Sequence, residues 1–257
     1  TGPRLMSTLL EAPAAPRVVR IPSIFTGVPD EGRARAAAHA RRRAARKDLW
    51  CRLLNVVVAV AGLLLALPVM LAVAAAVRIS SPGPVLYSQI RVGVDRRGPF
   101  TGGGDSRRQV DYGGRLFRVY KFRTMRADES AADQVWASPD DARVTRVGRF
   151  LRQYRLDELP QLWNVLRGDM NFVGPRPEQP EIVRRLSQHI GGYVRRHRVL
   201  PGITGWAQVN QHYDRCLDDV RHKLALDLEY IDRRSPLMDL RIMARTFPVV
   251  LFRRGAW

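Results

Sequence analysis

Residues 53–77, LLNVVVAVAGLLLALPVMLAVAAAV, carry no charged side chain, and Asn55 is their one polar interruption. A run of this length exceeds the ~20 apolar residues that a helix needs to cross a bilayer core. It is too uniformly apolar for an ordinary core helix, which keeps a polar face. Its place well inside the chain, with no small-residue cleavage site, argues against a cleaved leader. Arg46, Lys47 and Arg52 flank one end and Arg78 the other. Basic flanks stay on the cytoplasmic side. Pro68 removes one backbone bond from any helix built here. Together these features favour a re-entrant helix that dips into lipid, bends near Leu67 and Pro68, and returns. A straight, proline-kinked span is the alternative.

The whole chain, 257 residues with 43 Lys+Arg against 24 Asp+Glu, has a formal charge of +19. Such an excess points to an anionic partner: nucleic acid, an acidic membrane or phosphorylated substrates. An Arg-preferring genome accounts for part of it. Cys51 and Cys216 have neither metal-like nor disulfide-like spacing, which fits a reducing compartment. Ahead of the apolar run, residues 1–47 form a basic arm: a poorly ordered Pro- and Ala-rich tail to about residue 30, then an Ala/Arg stretch with helical propensity. That stretch suits anionic lipid headgroups. The organisation expected is therefore an arm (1–47), a membrane-inserted helix (48–80) and a catalytic body (81–257).

Within the body, residues 79–93 read as a turn followed by a short strand, and residues 116–125 alternate apolar and cationic side chains and are expected to pair with 85–92 as a short β-hairpin, with Lys121 and Arg123 on the face of Val119. Residues 95–114 read as a Gly/Arg-rich surface loop, and 128–141 as an acidic connection. Residues 144–154 read as a basic amphipathic stretch. Helices are expected over 181–199, 217–231 and 236–251, the last with an apolar stripe of Leu237, Leu240, Ile242, Met243 and Phe247. Residues 200–210 read as a turn and short extended piece. The terminal 252–257 have the aromatic and Arg content of an interfacial anchor, with core packing an equal alternative.

The chemistry concentrates in Arg155-Leu156-Asp157-Glu158-Leu159-Pro160-Gln161-Leu162-Trp163-Asn164-Val165-Leu166-Arg167-Gly168-Asp169-Met170. Leu159, Leu162, Trp163 and Leu166 fall on one helical face, Pro160 suits the first turn and Gly168 the stop. Asp157 and Glu158 then sit at the helix mouth, where free N–H groups also favour phosphate. Downstream, Pro175-Arg176-Pro177 stiffens a loop around an Arg suited to bidentate phosphate binding.

These segments resemble the bacterial sugar transferases, monotopic polyprenyl-phosphate hexose-1-phosphate transferases (phosphoglycosyl transferases). The resemblance rests on Ser81-Pro82-Gly83-Pro84-Val85, Tyr120-Lys121-Phe122-Arg123-Thr124-Met125, Leu156-Asp157-Glu158-Leu159-Pro160-Gln161-Leu162, Arg167-Gly168-Asp169-Met170, Gly174-Pro175-Arg176-Pro177 and Pro201-Gly202-Ile203-Thr204-Gly205-Trp206-Ala207-Gln208-Val209-Asn210. It implies an α+β, mostly helical fold: a re-entrant membrane helix and a compact body with interfacial amphipathic helices on the cytoplasmic face of the bacterial inner membrane. It implies transfer of a sugar-1-phosphate from a UDP-sugar to polyprenyl (undecaprenyl) phosphate with release of UMP. Asp157 would form an aspartyl-phosphosugar. Glu158 would position Mg2+ together with Asp157 or assist the acceptor. Lys121, Arg152 and Arg176 would bind substrate. Anionic lipids are expected partners, a homo-oligomer is compatible, and nucleic acid is not expected. The family commonly has Asp where Asn55 stands. Competing readings are a membrane-tethered nucleic-acid-binding or scaffold protein without catalysis, which leaves the Asp-Glu pair unexplained, and a diphosphate hydrolase.

Overall fold

The computed structural model describes residues 31–95, 111–126, 141–211 and 216–251. The expectations for the tail to residue 30, the bulk of the 95–114 loop, the 128–140 connection and the 252–257 anchor lie outside them. Contacts divide the chain into Thr1–Arg43 and Ala44–Trp257. In the first unit, residues 31–43 are helical, as their Ala/Arg composition predicts.

The second unit begins within α1 (Glu31–Ser80), which continues unbroken past Pro68. Its residues 46–80 form a helix long and apolar enough to cross a membrane, and only 11% of the most apolar window is buried. The buried positions form a narrow stripe: Cys51, Asn55 and Ala59, then Val73 and Val77. Steps of four keep the residues of each stretch on one helical face. Leu64, Leu65, Leu67, Val69 and Leu71 around Pro68 are exposed.

Both flanks of Pro68 pack on the body. Ala59 joins a core with Val119, Leu162, Val165 and Met170. Val73 and Val77 join another with Phe122 and Leu151. Asn55 is fully buried and works as a tie: its Oδ1 accepts the N–H groups of Phe172 (2.6 Å) and Val173 (3.1 Å), and its Nδ2 donates to Asp239 (3.1 Å). Arg52 caps the C-terminal end of the helix over residues 161–167, donating to the carbonyls of Val165 (2.5 Å) and Met170 (2.9 Å).

The expected hairpin is present: β1 (Leu86–Val92) pairs antiparallel with β2 (Leu116–Phe122), Tyr87 opposite Lys121 and Gln89 opposite Val119. Arg123 lies beyond the strand end. It turns into the protein to hold the carbonyls of Pro82 (2.5 Å) and Ser81 (2.7 Å), so the Ser81-Pro82 turn is braced by an arginine. After α2 (Arg146–Gln153) and α3 (Gln161–Arg167) comes a parallel pair the sequence pattern did not reveal, β3 (Asn171–Val173) with β4 (Gly202–Thr204).

The expected 181–199 helix is two pieces. It divides into α4 (Pro180–His189) and a 3-10 segment Tyr193–Arg198, separated where Gly192 adopts φ 74°. Such a left-handed turn interrupts an α-helix. The 200–210 stretch contains a short helix, α5 (Trp206–Asn210), beside its extended piece. Helices α6 (Leu217–Arg233) and α7 (Pro236–Leu251) match their expected spans closely. Among the described side chains of α7, Asp239 and Ile242 are buried while Leu237 and Leu240 are exposed; Phe247 of the expected stripe lies outside them. The face is set by the polar tie from Asp239 to Asn55 and Tyr230, and that tie turns the two leucines outward.

Candidate active site

Thr145 caps α2 by accepting the Gly148 N–H at 2.8 Å. Gly148 lies against the Thr124 backbone, where any Cβ would overlap the carbonyl. This close approach docks α2 on the end of the hairpin and lets Arg152 Nε donate to Thr124 Oγ1 at 2.9 Å. After α2 the chain reverses at Arg155, which has φ 53° and is alone among the described non-glycine residues in positive φ. That left-handed residue, which costs about 1 kcal/mol, leads directly into the 3-10 turn Leu156–Glu158.

The turn carries both acids. Asp157 and Glu158 are 8% and 6% exposed, an expensive place for two adjacent carboxylates unless cations accompany them. They do. Lys121 Nζ donates to Glu158 Oε1 at 2.9 Å and stands 3.9 Å from Asp157 Oδ2. Arg176 Nη2 donates to the same Glu158 oxygen at 2.6 Å, and its Nη1 lies 3.5 Å from Oε2. Arg155, which the sequence reading passed over, approaches Glu158 Oε2 at 3.9 Å.

Cation contact is therefore unequal, and the two acids titrate apart. For Asp157, burial and then the charge of Glu158 push the pKa up to about 6, against the pull of Lys121, Arg176 and Arg152. For Glu158, burial acts upward too, but Arg176 and Lys121 outweigh it and hold the carboxyl well below the usual range. Glu158 in turn raises the Arg176 pKa, so that guanidinium stays charged. Glu158 is a fixed anion gripped from two sides. Among the described residues Asp157 has only the looser contact to Lys121, which leaves its oxygens open to another partner.

Of the five residues expected at the site, Lys121 and Arg176 join the Asp157–Glu158 pair directly. Arg152 reaches it through its field on Asp157 and is tied to Thr124. Helix α3 follows with Pro160 at its entry and Gly168, φ 83°, at its stop, as expected. One expectation fails: Trp163 is 54% exposed and does not share the buried face. That face is instead Gln161, Leu162, Asn164 and Val165, because α3 is wedged between α1 and β2. Asn164 fills the β2 side, accepting the Tyr120 N–H at 3.0 Å and donating to the Arg118 carbonyl at 2.7 Å.

The loop after β3 aims Arg176. Its support includes Arg196, Glu178 and Lys223, which no local pattern marked; their signal is only that the chain buries charge there. Among the described residues no group of three or more His, Cys, Asp or Glu side chains could hold a metal.

Comparison with known proteins gives the family. The bacterial sugar transferase family profile matches residues 46–253. A UDP-N-acetylgalactosamine-undecaprenyl-phosphate N-acetylgalactosaminephosphotransferase of Aeromonas hydrophila is 40% identical over 79% of this chain and 44% of its own length. The UDP-glucose:undecaprenyl-phosphate glucose-1-phosphate transferase of Escherichia coli (strain K12) is 41% identical over 75% of this chain and 38% of its own. That of Caulobacter vibrioides is 39% identical over 82% and 73%. The chain thus spans less than half the length of the first two and most of the third. With the profile covering its helix, hairpin and acid pair alike, the chain belongs to the bacterial sugar transferase family.

Proposed function

We propose that the protein transfers a sugar-1-phosphate from a UDP-sugar to a polyprenyl phosphate, through a covalent intermediate on Asp157. The carrying observation is the unequal acid pair: a buried carboxylate with available oxygens beside one neutralised by Lys121 and Arg176. An Asp157 oxygen attacks the sugar-bearing phosphorus. The bond from that phosphorus to the bridging oxygen breaks, and UMP departs with the electron pair. The acceptor's phosphate oxygen then attacks the same phosphorus, freeing the Asp157 carboxylate and giving the polyprenyl diphosphate sugar. Two displacements at one nucleophile let a soluble donor and a lipid acceptor use the site in turn. Lys121, Arg176 and Arg152 offset the negative charge that gathers on the phosphoryl oxygens.

The donor set suits Mg2+, which is commonly held by one or two carboxylates plus substrate phosphates. Asp157 and Glu158 would hold it with diphosphate oxygens completing the shell. Once bound it would neutralise charge on the diphosphate. A hydrolase reading is less favoured, because the helix beside the site suits delivery of a lipid acceptor.

The packing of α1 supports a re-entrant placement. Its buried positions lie in two stretches, Cys51 to Ala59 and Val73 to Val77, which a straight helix would spread over about 39 Å at 1.5 Å per residue. A straight span packed over that length would draw the charged body into the hydrocarbon, at high cost. Entering and leaving by one face keeps the body, with its Lys and Arg excess, on anionic headgroups at the cytoplasmic side.

The test supplies a panel of UDP-hexoses and UDP-N-acetylhexosamines with undecaprenyl phosphate and Mg2+, following UMP and lipid-linked sugar. Acceptor-dependent lipid-linked product from one donor supports the proposal. Free sugar phosphate as the sole product would mean hydrolysis instead.

A further inference from the structure

Behind the loop that carries Arg176 the chain buries a second set of charges. Arg196, in the 3-10 segment Tyr193–Arg198, is 1% exposed. Its Nη2 donates to the Arg176 carbonyl at 2.9 Å and pairs with Asp227 Oδ2 at 2.8 Å. Its Nη1 donates to the Tyr193 hydroxyl at 2.6 Å and to Glu178 Oε1 at 3.3 Å. Lys223 meets the same Glu178 oxygen at 2.7 Å. Burial opposes the Arg196 charge, and Asp227, Tyr193 and Glu178 together outweigh it.

Buried ionic clusters are poor stabilisers compared with well-packed apolar side chains, so geometry is the better account of this one. Arg176 lies between two prolines, and Pro177 has no N–H to anchor the loop. The carbonyls take over. Pro175 O accepts the Gly202 N–H at 3.0 Å, Arg176 O accepts Arg196, Pro177 O lies 3.4 Å from Arg91 Nη1, and Glu178 O accepts the Val92 N–H at 2.9 Å. Four successive carbonyls are thereby held by β1, β4 and the 3-10 segment. Arg196 is the one whose grip falls on the residue that reaches Glu158.

We propose that Arg196 is a positioning residue for the transfer reaction: by fixing the Arg176 carbonyl it keeps that guanidinium on Glu158. This rests on the transfer reading given above. A guanidinium fork serves four partners here in fixed directions, whereas a lysine ammonium has three donors and no plane.

The experiment is a double-mutant cycle on the full chain in lipid nanodiscs, reading kcat and donor KM from UMP release with the UDP-sugar that the wild type turns over. Its members are the wild type, Arg196→Lys, Arg176→Lys and the double variant. Arg196→Lys is expected to lower kcat roughly ten- to a hundredfold, the scale of a small misplacement in an active site, with donor KM within about twofold. In the Arg176→Lys background the same change is expected to cost nothing further. Should Arg196→Lys fail to fold, Tyr193→Phe carries the same cycle with a smaller loss of about threefold. Losses that multiply across the two backgrounds, or a kcat left at the wild-type value, overturn the inference while the transfer reading stands. A wild type that releases no UMP from any donor overturns both.

Discussion

Arg176 Nη2 lies 2.6 Å from Glu158 Oε1, and Asp157, one residue earlier, has no cation closer than the 3.9 Å of Lys121 among the described pairs. Two neighbouring acids of similar intrinsic strength are thus driven apart: burial and the charge of Glu158 raise Asp157, while Arg176 and Lys121 overcome burial at Glu158. Arg176→Ala removes the strongest of those partners from a buried anion. The expected result is a loss of about 10²–10³ in kcat, the range seen when one preorganised charge-stabilising donor is deleted. Steady-state UMP release measures it.

The pH dependence follows from Asp157. Its raised value, about 6, means that the nucleophilic carboxylate is the minor form below that pH. Transfer should therefore rise with pH through 6 and level off near 7, with about a tenth of the plateau rate at pH 5. Glu158, held well below the ordinary range, adds no limb in that window. The kcat/KM profile between pH 4.5 and 8 checks this, and a flat profile would contradict it.

Asn55 ties the apolar helix to the body through two backbone N–H groups and Asp239. Asn55→Leu strands the two N–H groups and takes one donor from Asp239, which keeps the Tyr230 hydroxyl. The expected cost is about 2–4 kcal/mol, since each unsatisfied buried group costs ~1–3 kcal/mol and some relaxation follows. Thermal unfolding in detergent reads it as a lowered midpoint.

Gly148→Ala forces a methyl group into the Thr124 carbonyl and pushes α2 off the hairpin. The expected penalty is about 1–3 kcal/mol in stability. A fall in kcat should accompany it, because Arg152 leaves with the helix. Gly192→Ala is the comparison: unlike Gly148, Gly192 has a positive φ, 74°, and an added methyl there meets only the flexible Arg195 side chain, so it should lose stability without the kcat effect.

What was legible in the sequence were features with a local signature. The apolar run, the Val119-to-Lys121 alternation, the Pro160/Gly168 punctuation and the Asp157–Glu158 pair each announce themselves within a few residues. The face of α7 did not, because Leu237 and Leu240 fit a helical stripe whose true orientation is set by Asp239 bonding to Asn55, 184 residues away. Trp163 misled for the same reason: apolar spacing cannot distinguish a side chain facing the core from one facing outward. The β3–β4 pair consists of three-residue strands separated by a helix, too short for any period. Arg196 is one arginine among many until its partners from α6 and the Arg176 loop are in place.

The central claim is that Asp157 itself becomes phosphorylated by the donor. Incubating the protein with an accepted UDP-sugar and no lipid acceptor, then mapping the acid-quenched chain by mass spectrometry, tests it most directly. The account predicts one added sugar-phosphate on the peptide containing Asp157, stoichiometric UMP, and neither from Asp157→Asn. UMP released by Asp157→Asn at the wild-type rate, or an adduct on another residue, would contradict it.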